Sequence, residues 1–207
     1  MKRKRIRMKN GISVSGKFQK LFLLSIIFII GLVFGSITVK SLNADLSVRI
    51  EALIENYFYI QSVQSILQNF LYTFCSEFLI LLIPFIFGLC VIGEPVMWLE
   101  PAIRGLGIGL ISGYLYKTYS LQGMEYFAII ILIPSALASA VTIFSCQESI
   151  LMSRDLISLI KDGKNLKENF IKLYLLRYSI LTLSVLIISF ISSLCIYFFA
   201  AKFNLFS

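Results

Sequence analysis

The fold of this chain is decided by an apolar stretch near its start, LFLLSIIFIIGLVFGSITV, which runs from Leu21 to Val39 without a charged residue. A helix needs about 20 such residues to cross the hydrocarbon core of a bilayer. A basic run that ends at Lys20 precedes the stretch, and this layout is also typical of a secretory signal peptide. The stretch is longer than the apolar part of a signal peptide, however, and no small-residue cleavage site follows it. We therefore expect an uncleaved first membrane span.

The composition extends this interpretation to the whole chain. Of the 207 residues, 58% are hydrophobic and 14% are charged, whereas soluble domains carry about 25% charged residues. A soluble fold of this size has no core large enough to hide so much apolar surface. Apolar surface can instead face the hydrocarbon of a bilayer. The sequence therefore predicts membrane lipid as a partner of this chain.

Four further apolar runs follow the first one. The predicted fold class is an all-α polytopic integral membrane protein with about five transmembrane helices. We expect a basic cytoplasmic segment, residues 1–20, and then a single helical membrane domain, residues 21–207, because no repeat or linker divides the chain. The spans are predicted near residues 21–39, 71–92, 96–116, 125–146 and 174–199. A tight turn at Gly93 to Pro95 separates the second and third spans, and a polar connection from Lys117 to Gly123 separates the third and fourth.

The distribution of charge predicts how these spans are oriented. Short loops rich in Lys and Arg stay in the cytoplasm. Residues 1–20 and 147–177 hold fourteen of the nineteen basic residues, and five spans place both segments on the same side. We expect the N-terminus to be cytoplasmic in a multi-pass protein of the plasma membrane. Membrane anchoring accounts for these basic segments, so no nucleic-acid partner is predicted.

Two segments between the spans have helical patterns of their own. In residues 43–69, apolar residues recur at three- and four-residue steps, as in an amphipathic helix, and Asn43 or Asp45 is suited to cap its start. We expect an interfacial connector lying on the outer leaflet, and a docking helix for an extracytoplasmic partner is the alternative. Residues 153–177 also suit a helix, with a predicted break at Asp162 to Asn165.

Glycines recur at four-residue steps in two of the predicted spans. Gly105, Gly109 and Gly113 share one face of the third span, and Gly31 and Gly35 repeat the step in the first. Such faces let a second helix approach closely enough for dispersion contacts and weak Cα–H···O bonds. We expect them to pack helices within the chain. Packing against a second copy, which would make a homo-oligomer, or against a partner is the alternative.

Ionisable residues fall inside the predicted spans, among them Glu77 in the second, and Glu100 and Arg104 in the third. Burying such a group in hydrocarbon costs about 3 kcal/mol or more. Glu100 and Arg104 stand four residues apart in the favourable order for a helical ion pair. We expect them to neutralise each other near the cytoplasmic end, while Glu77 reaches for water at the outer end or takes Arg104 as its partner. A proton or ion pathway is the functional alternative.

The sequence offers no constellation that indicates an enzyme. It contains no histidine, which removes the commonest general base and metal ligand. The four cysteines fall in apolar runs without metal-ligand or disulfide spacing, so they are interpreted as small hydrophobic residues. We find no paired carboxylates in a polar pocket, no nucleophile with a base and no phosphate loop. The expectation is a protein without catalytic residues, cofactor or metal.

Several motifs resemble those of the stage II sporulation protein M family. The first span and its outer boundary, SIIFIIGLVFGSITVKSL at residues 25–42, resemble the family's glycine pair and closing Ser-Leu. VIGEPV at 91–96 resembles its turn between spans two and three, although Glu94 stands where we expect an apolar residue. RGLGIGLISGYL at 104–115 resembles its glycine-stepped third span, and Ile133-Pro134 fits its fourth. Length and layout agree from end to end.

The resemblance implies a scaffold used during engulfment of the forespore in endospore-forming bacteria. In that role the protein holds two peptidoglycan-degrading partners, stage II sporulation proteins D and P, and catalysis belongs to those partners. Because of Glu94, a more distant relative used outside engulfment is an alternative. A small transporter or permease subunit, with Glu77, Glu100 and Arg104 lining its path, is the alternative from another functional class.

Overall fold

The computed structural model describes the backbone of residues 2–41, 44–91, 93–162 and 168–203, and side chains within 18–39, 41, 48–57, 60–61, 64–91, 93–158, 160 and 171–198. The regular structure in these ranges is helical. Its elements are α1 Lys2–Ser41, α2 Ala44–Val63, α3 Ile66–Gly88, α4 Glu94–Tyr126, a π-helical turn Phe127–Leu132, α5 Ile133–Asp162 and α6 Glu168–Phe203.

The chain is an all-α polytopic membrane protein. In the part that the structure describes, four helical stretches are long and apolar enough to cross a membrane: Phe18–Val39, Ile66–Gly88, Glu94–Ser158 and Ile171–Phe198. The third of these contains 65 residues, whereas a single crossing needs about 20. Its length is explained by a reversal of the chain within it.

The reversal occurs at Ser120. This residue has φ 50° and ψ −126°, a left-handed conformation that non-glycine residues rarely adopt. A Cβ on Gly123 would lie 2.2 Å from the carbonyl oxygen of Leu115, and residues eight apart in a continuous helix cannot approach so closely. Farther from the turn, Arg104 bonds to Ser139. α4 and α5 therefore form an antiparallel hairpin, and its turn falls in the polar connection predicted from the sequence.

Several element boundaries differ from the sequence predictions. α3 begins at Ile66, five residues before the predicted span, because Ser65 and Gln68 form a capping box that satisfies free N–H groups at the helix start. α1 begins at Lys2, so the basic N-terminal segment is helical and continuous with the first span. α5 is described as far as Asp162, the first residue of the predicted break. Gly163 to Asn165 lie outside the described residues.

The predicted amphipathic helix between the first two spans is α2. Ile54 packs against a core cluster formed by α4, the π-helical turn and α6, and Glu55 accepts a hydrogen bond from the Tyr114 hydroxyl at 3.2 Å. The neighbouring Leu53 is exposed. Of the two predicted caps, Asn43 lies outside the described residues, as does the side chain of Asp45. α2 thus covers the end of the bundle at which Ser120 lies, called here the Ser120 end; the opposite end is the Glu94 end.

The long helices divide into two packed groups. α4 packs mainly on α1 and α5, whereas α3 packs mainly on α5 and α6. Direct contact between α3 and α4 is sparse. This arrangement leaves a space between α3 and α4, and the ionisable residues of the spans line it.

Candidate intramembrane site

Glu77 and Arg104 form an ion pair across the space between α3 and α4. Arg104 Nη2 donates to both carboxylate oxygens of Glu77 at 2.8 Å, and Arg104 Nε donates to Ser139 Oγ at 3.1 Å. The Arg104 side chain is 9% exposed. Glu77 lies midway between the ends of α3, which places the pair near the middle of the bilayer. Charge neutralisation and hydrogen bonding together lower the cost of burying both groups at this depth.

The favoured sequence interpretation, in which Glu100 pairs with Arg104, is wrong. Glu100 Oε2 accepts a hydrogen bond from Cys146 Sγ at 3.3 Å, and its Oε1 has no partner among the described residues. Arg104 Nη1 is likewise buried without a partner in the described part of the chain. The four-residue spacing puts both side chains on the same side of α4, but the guanidinium bonds to Glu77 of α3 instead. The alternative in which Glu77 takes Arg104 is the one that the structure contains.

Cys146 has a polar role that the apolar context of the cysteines concealed. It is completely buried and its thiol is the hydrogen-bond donor to Glu100. Cys75, Cys90 and Cys195 are free thiols and, like Cys146, form no disulfide. A buried carboxylate oxygen that accepts only one thiol hydrogen bond is weakly satisfied, because S–H is a weak donor.

The three ionisable residues border one cavity of about 610 Å³. Its walls come from α3 and α4, its floor from α5 and α6, and Tyr57 and Gln61 of α2 cover it at the Ser120 end. Most of the lining is isoleucine, leucine and valine. Cavities of this size with apolar walls and a few polar groups are typical of ligand-binding sites. Glu77, Glu100 and Arg104, which the transporter alternative places along one path, thus border one cavity.

The floor of this cavity is shaped by Pro134. Proline has no N–H group, so the carbonyl of Ile130, one turn earlier, receives no helical hydrogen bond from it. The helix widens there into the π-helical turn Phe127–Leu132, and Ile130 and Ile131 of this turn line the cavity with Pro134. π-helical turns occur frequently at functional sites.

The other side of α4 is closed by α1. The two helices cross so closely that a Cβ on Gly105 or Gly109 would lie 2.2 or 2.1 Å from a carbonyl oxygen of α1. A Cβ on Gly31 or Gly35 would lie 2.3 Å from a carbonyl oxygen of α4, and one on Gly113 would lie 2.9 Å from Ser36. All five predicted packing glycines thus lie in one interface within the chain.

A tyrosine–serine network that the sequence interpretation missed joins α3, α5 and α6 at the Glu94 end. The Tyr174 hydroxyl donates to the Phe85 carbonyl at 3.0 Å and lies 3.2 Å from Ser149 Oγ. Ser149 also bonds to Tyr178, whose hydroxyl donates to the Ser145 carbonyl at 3.2 Å. Phe85 belongs to the last turn of α3, where carbonyls lack helical partners. The four-residue step of Ser145, Ser149 and Ser153 in α5 is the sequence pattern that could have indicated this network.

Ion pairs mark the Glu94 end of the bundle. Arg154 Nε donates to both carboxylate oxygens of Glu94, at 3.1 and 3.0 Å, and Arg177 pairs with Glu148. Glu94 is the residue that departs from the family-like turn, and its partner on α5 gives that departure a local role. These pairs are partly exposed, as expected at a membrane boundary where water is available.

Comparison with known proteins adds one positive finding. The sequence model of a family described as Stage II sporulation protein M matches residues 24–193. No curated protein and no solved structure gives a significant match to the chain. The matched range begins in the first candidate span and ends in the last, and it includes all three ionisable residues of the cavity.

Proposed function

Because the chain belongs to the stage II sporulation protein M family, we propose that it is a non-enzymatic membrane scaffold for engulfment of the forespore. In this proposal it holds two peptidoglycan-degrading partners, stage II sporulation proteins D and P, at the septum of an endospore-forming bacterium. The partners perform the hydrolysis. The observation that carries the proposal is the family match over residues 24–193, which covers nearly the whole bundle.

The way the polar side chains are used supports a scaffold. The Glu77–Arg104 pair links α3 to α4, the Tyr178 hydroxyl links α6 to α5, and Ser153 Oγ donates to the carbonyl of Cys90 at 2.9 Å. Each of these bonds joins two segments of the bundle. Cross-bundle hydrogen bonds of this kind hold helices in a fixed arrangement, which is the property that a platform for other proteins requires.

For the topology we propose five crossings with a cytoplasmic N-terminus in the plasma membrane. The hairpin within residues 94–158 supplies two of the crossings, and the basic segments then lie in the cytoplasm. Labelling in a cysteine-free background tests this. Ser41→Cys should react with an impermeant maleimide in intact cells, whereas Ser158→Cys should react only after permeabilisation. The reverse pattern, or labelling of both residues in intact cells, contradicts the topology.

Affinity capture tests the scaffold. The full chain, tagged and captured from sporulating cells in mild detergent, is expected to recover a peptidoglycan hydrolase. The purified chain alone should not degrade peptidoglycan. Cells harvested during vegetative growth provide the control. Capture that contains no cell-wall enzyme, or hydrolysis by the purified chain itself, counts against the proposal.

A transporter subunit is the second candidate, and the placement of Glu77, Glu100 and Arg104 around one cavity favours it. Solute or ion flux measured in liposomes that contain the purified chain tests this reading. Flux that Glu100→Gln abolishes would support transport, with Leu79→Gln as a lipid-facing control. Flux equal to that of empty liposomes would remove this candidate.

A further inference from the structure

The cavity opens sideways, toward the lipid, between α3 and α4. Ile83 of α3 and Leu99 and Ile103 of α4 border it, and all three are exposed; Ile103 is 60% exposed. Residues around an enclosed cavity would be buried. The space is therefore a groove on the side of the bundle, which we call the α3–α4 groove.

The α3–α4 groove contains polar atoms whose hydrogen-bonding capacity is not used. Arg104 Nη1 and Glu100 Oε1 are buried and have no partner among the described residues, although each side chain is at least nine-tenths buried. Unsatisfied buried polar groups are costly, and the cost rises in surroundings of low dielectric constant. A molecule that offers an acceptor to the guanidinium and a donor to the carboxylate would remove that cost.

The depth of these atoms in the bilayer indicates which molecule of the membrane can bind them: a lipid or a transmembrane helix. Arg104 lies about 15 Å along α4 from Glu94, which is half of a hydrocarbon core roughly 30 Å thick. Lipid headgroups lie at the bilayer surface, and acyl chains have neither donor nor acceptor. A transmembrane helix, by contrast, can carry a polar side chain at any depth, and such side chains bond across helix interfaces.

We propose that the α3–α4 groove receives a transmembrane helix of a partner protein that carries a carboxamide or hydroxyl side chain at mid-span, an inference that rests on the proposed scaffold function. The charges of Glu77 and Arg104 cancel, which leaves Glu100 Oε1 without a hydrogen-bond donor and Arg104 Nη1 without an acceptor among the described residues. Carboxamides and hydroxyls supply both. Gly107 lies in the groove, and a Cβ there would meet nothing within 4 Å, so a partner helix has room to approach.

Photo-crosslinking in sporulating cells tests the proposal with a matched pair. Benzoylphenylalanine replaces Ile103 in the groove or, as the control, Leu79. Leu79 is 62% exposed and lies two residues from Glu77, but it does not border the cavity. The expected result is an adduct from Ile103 alone that maps by mass spectrometry to a transmembrane segment of a captured peptidoglycan-hydrolase partner. Adducts only with lipid, only with a second copy of this chain, or equally from both residues overturn the proposal.

Substitutions then separate this inference from the proposed function. Ile103→Trp fills the groove and should abolish the adduct and the hydrolase capture, whereas Leu79→Trp should leave both unchanged. Glu100→Leu should reduce capture roughly three- to tenfold, the range expected for one interhelical hydrogen bond. Melting temperatures in detergent establish that the variants fold. If the wild-type chain captures a hydrolase and Ile103→Trp captures it equally well, the scaffold stands and the groove proposal fails. If the wild-type chain captures none, the scaffold itself fails.

Discussion

The two sides of α4 show opposite solutions to packing a helix in a membrane. Toward α1, Gly105 and Gly109 bring backbone against backbone, with no room for a methyl group. Toward α3, Gly107 faces open space, and Glu100 and Arg104 border a cavity of about 610 Å³. Glycines only two positions apart in the sequence thus lie in a closely packed interface and beside open space.

This difference separates two ways of holding helices together. Lipid tails are as apolar as leucine, so apolar side chains gain little by leaving lipid for another helix. The α1–α4 interface relies on dispersion at short range, which small residues permit. On the α3–α4 side, the described residues are bridged across a gap by the Glu77–Arg104 ion pair. A substitution that adds volume should therefore destabilise the α1–α4 interface, whereas a substitution that removes one charge of the ion pair should destabilise the α3–α4 side.

The largest expected effect is therefore that of Arg104→Leu. It leaves the Glu77 carboxylate without its cation near the middle of the bilayer, and breaking a buried pair typically costs about 3–5 kcal/mol. We expect a strongly lowered melting temperature in detergent and a low yield of monodisperse protein. The double variant Glu77→Leu/Arg104→Leu should recover much of the loss, because the Glu77 carboxylate is removed together with its cation. A double variant less stable than the single one would contradict this account.

The next effect compares the two sides of α4 directly. In Gly109→Ala the new methyl group would lie 2.1 Å from the Leu32 carbonyl oxygen, so α1 must move away. Overpacking of this kind costs about 1–3 kcal/mol. Gly107→Ala makes the same chemical change in open space and should be neutral or stabilising by up to about 1 kcal/mol, since alanine favours helices. Equal changes in melting temperature for the two variants would show that α1 and α4 are not packed as described.

A smaller effect is expected from the network that joins α3 to α6. Tyr174→Phe removes the hydrogen bond to the Phe85 carbonyl and the contact with Ser149, which should cost about 1 kcal/mol. Amide hydrogen exchange should also quicken in the last turn of α3. Tyr197→Phe, at an exposed position, is the control and should change neither quantity. Unchanged exchange in Tyr174→Phe would mean that the hydroxyl does not secure the end of α3.

The sequence predicted those features that depend on a single helix. Apolar length located the candidate spans, and the four-residue step placed Gly105 and Gly109 on one face. The start of α3 was missed although its signal, Ser65 followed by Gln68, is present in the sequence. What could not be predicted depends on how two helices are offset along their axes. The choice of Glu77 rather than Glu100 as the partner of Arg104 is such a case.

The width of the α3–α4 groove also lies beyond what sequence patterns specify. It depends on α3 packing against α5 and α6 while α4 packs against α1. Neither preference is visible in the residues that line the groove, because their apolar pattern is equally suited to lipid, to a helix of the same chain and to a helix of a partner. The cavity is a consequence of several interfaces rather than of a motif.

The smallest expected effect tests whether depth, rather than the presence of an ion pair, sets the energetic importance of charge in this bundle. Glu94→Gln removes the partner of Arg154 at the Glu94 end, where both side chains are partly exposed. Exposed pairs contribute about 0.2–1 kcal/mol, and salt screens them. We expect a small decrease in melting temperature at low salt that shrinks as salt is added, and a similar result for Arg154→Gln. A decrease in melting temperature as large as that of Arg104→Leu would mean that the Glu94–Arg154 pair is as isolated from water as the pair at mid-span. Depth in the bilayer would then not explain the difference between the two pairs.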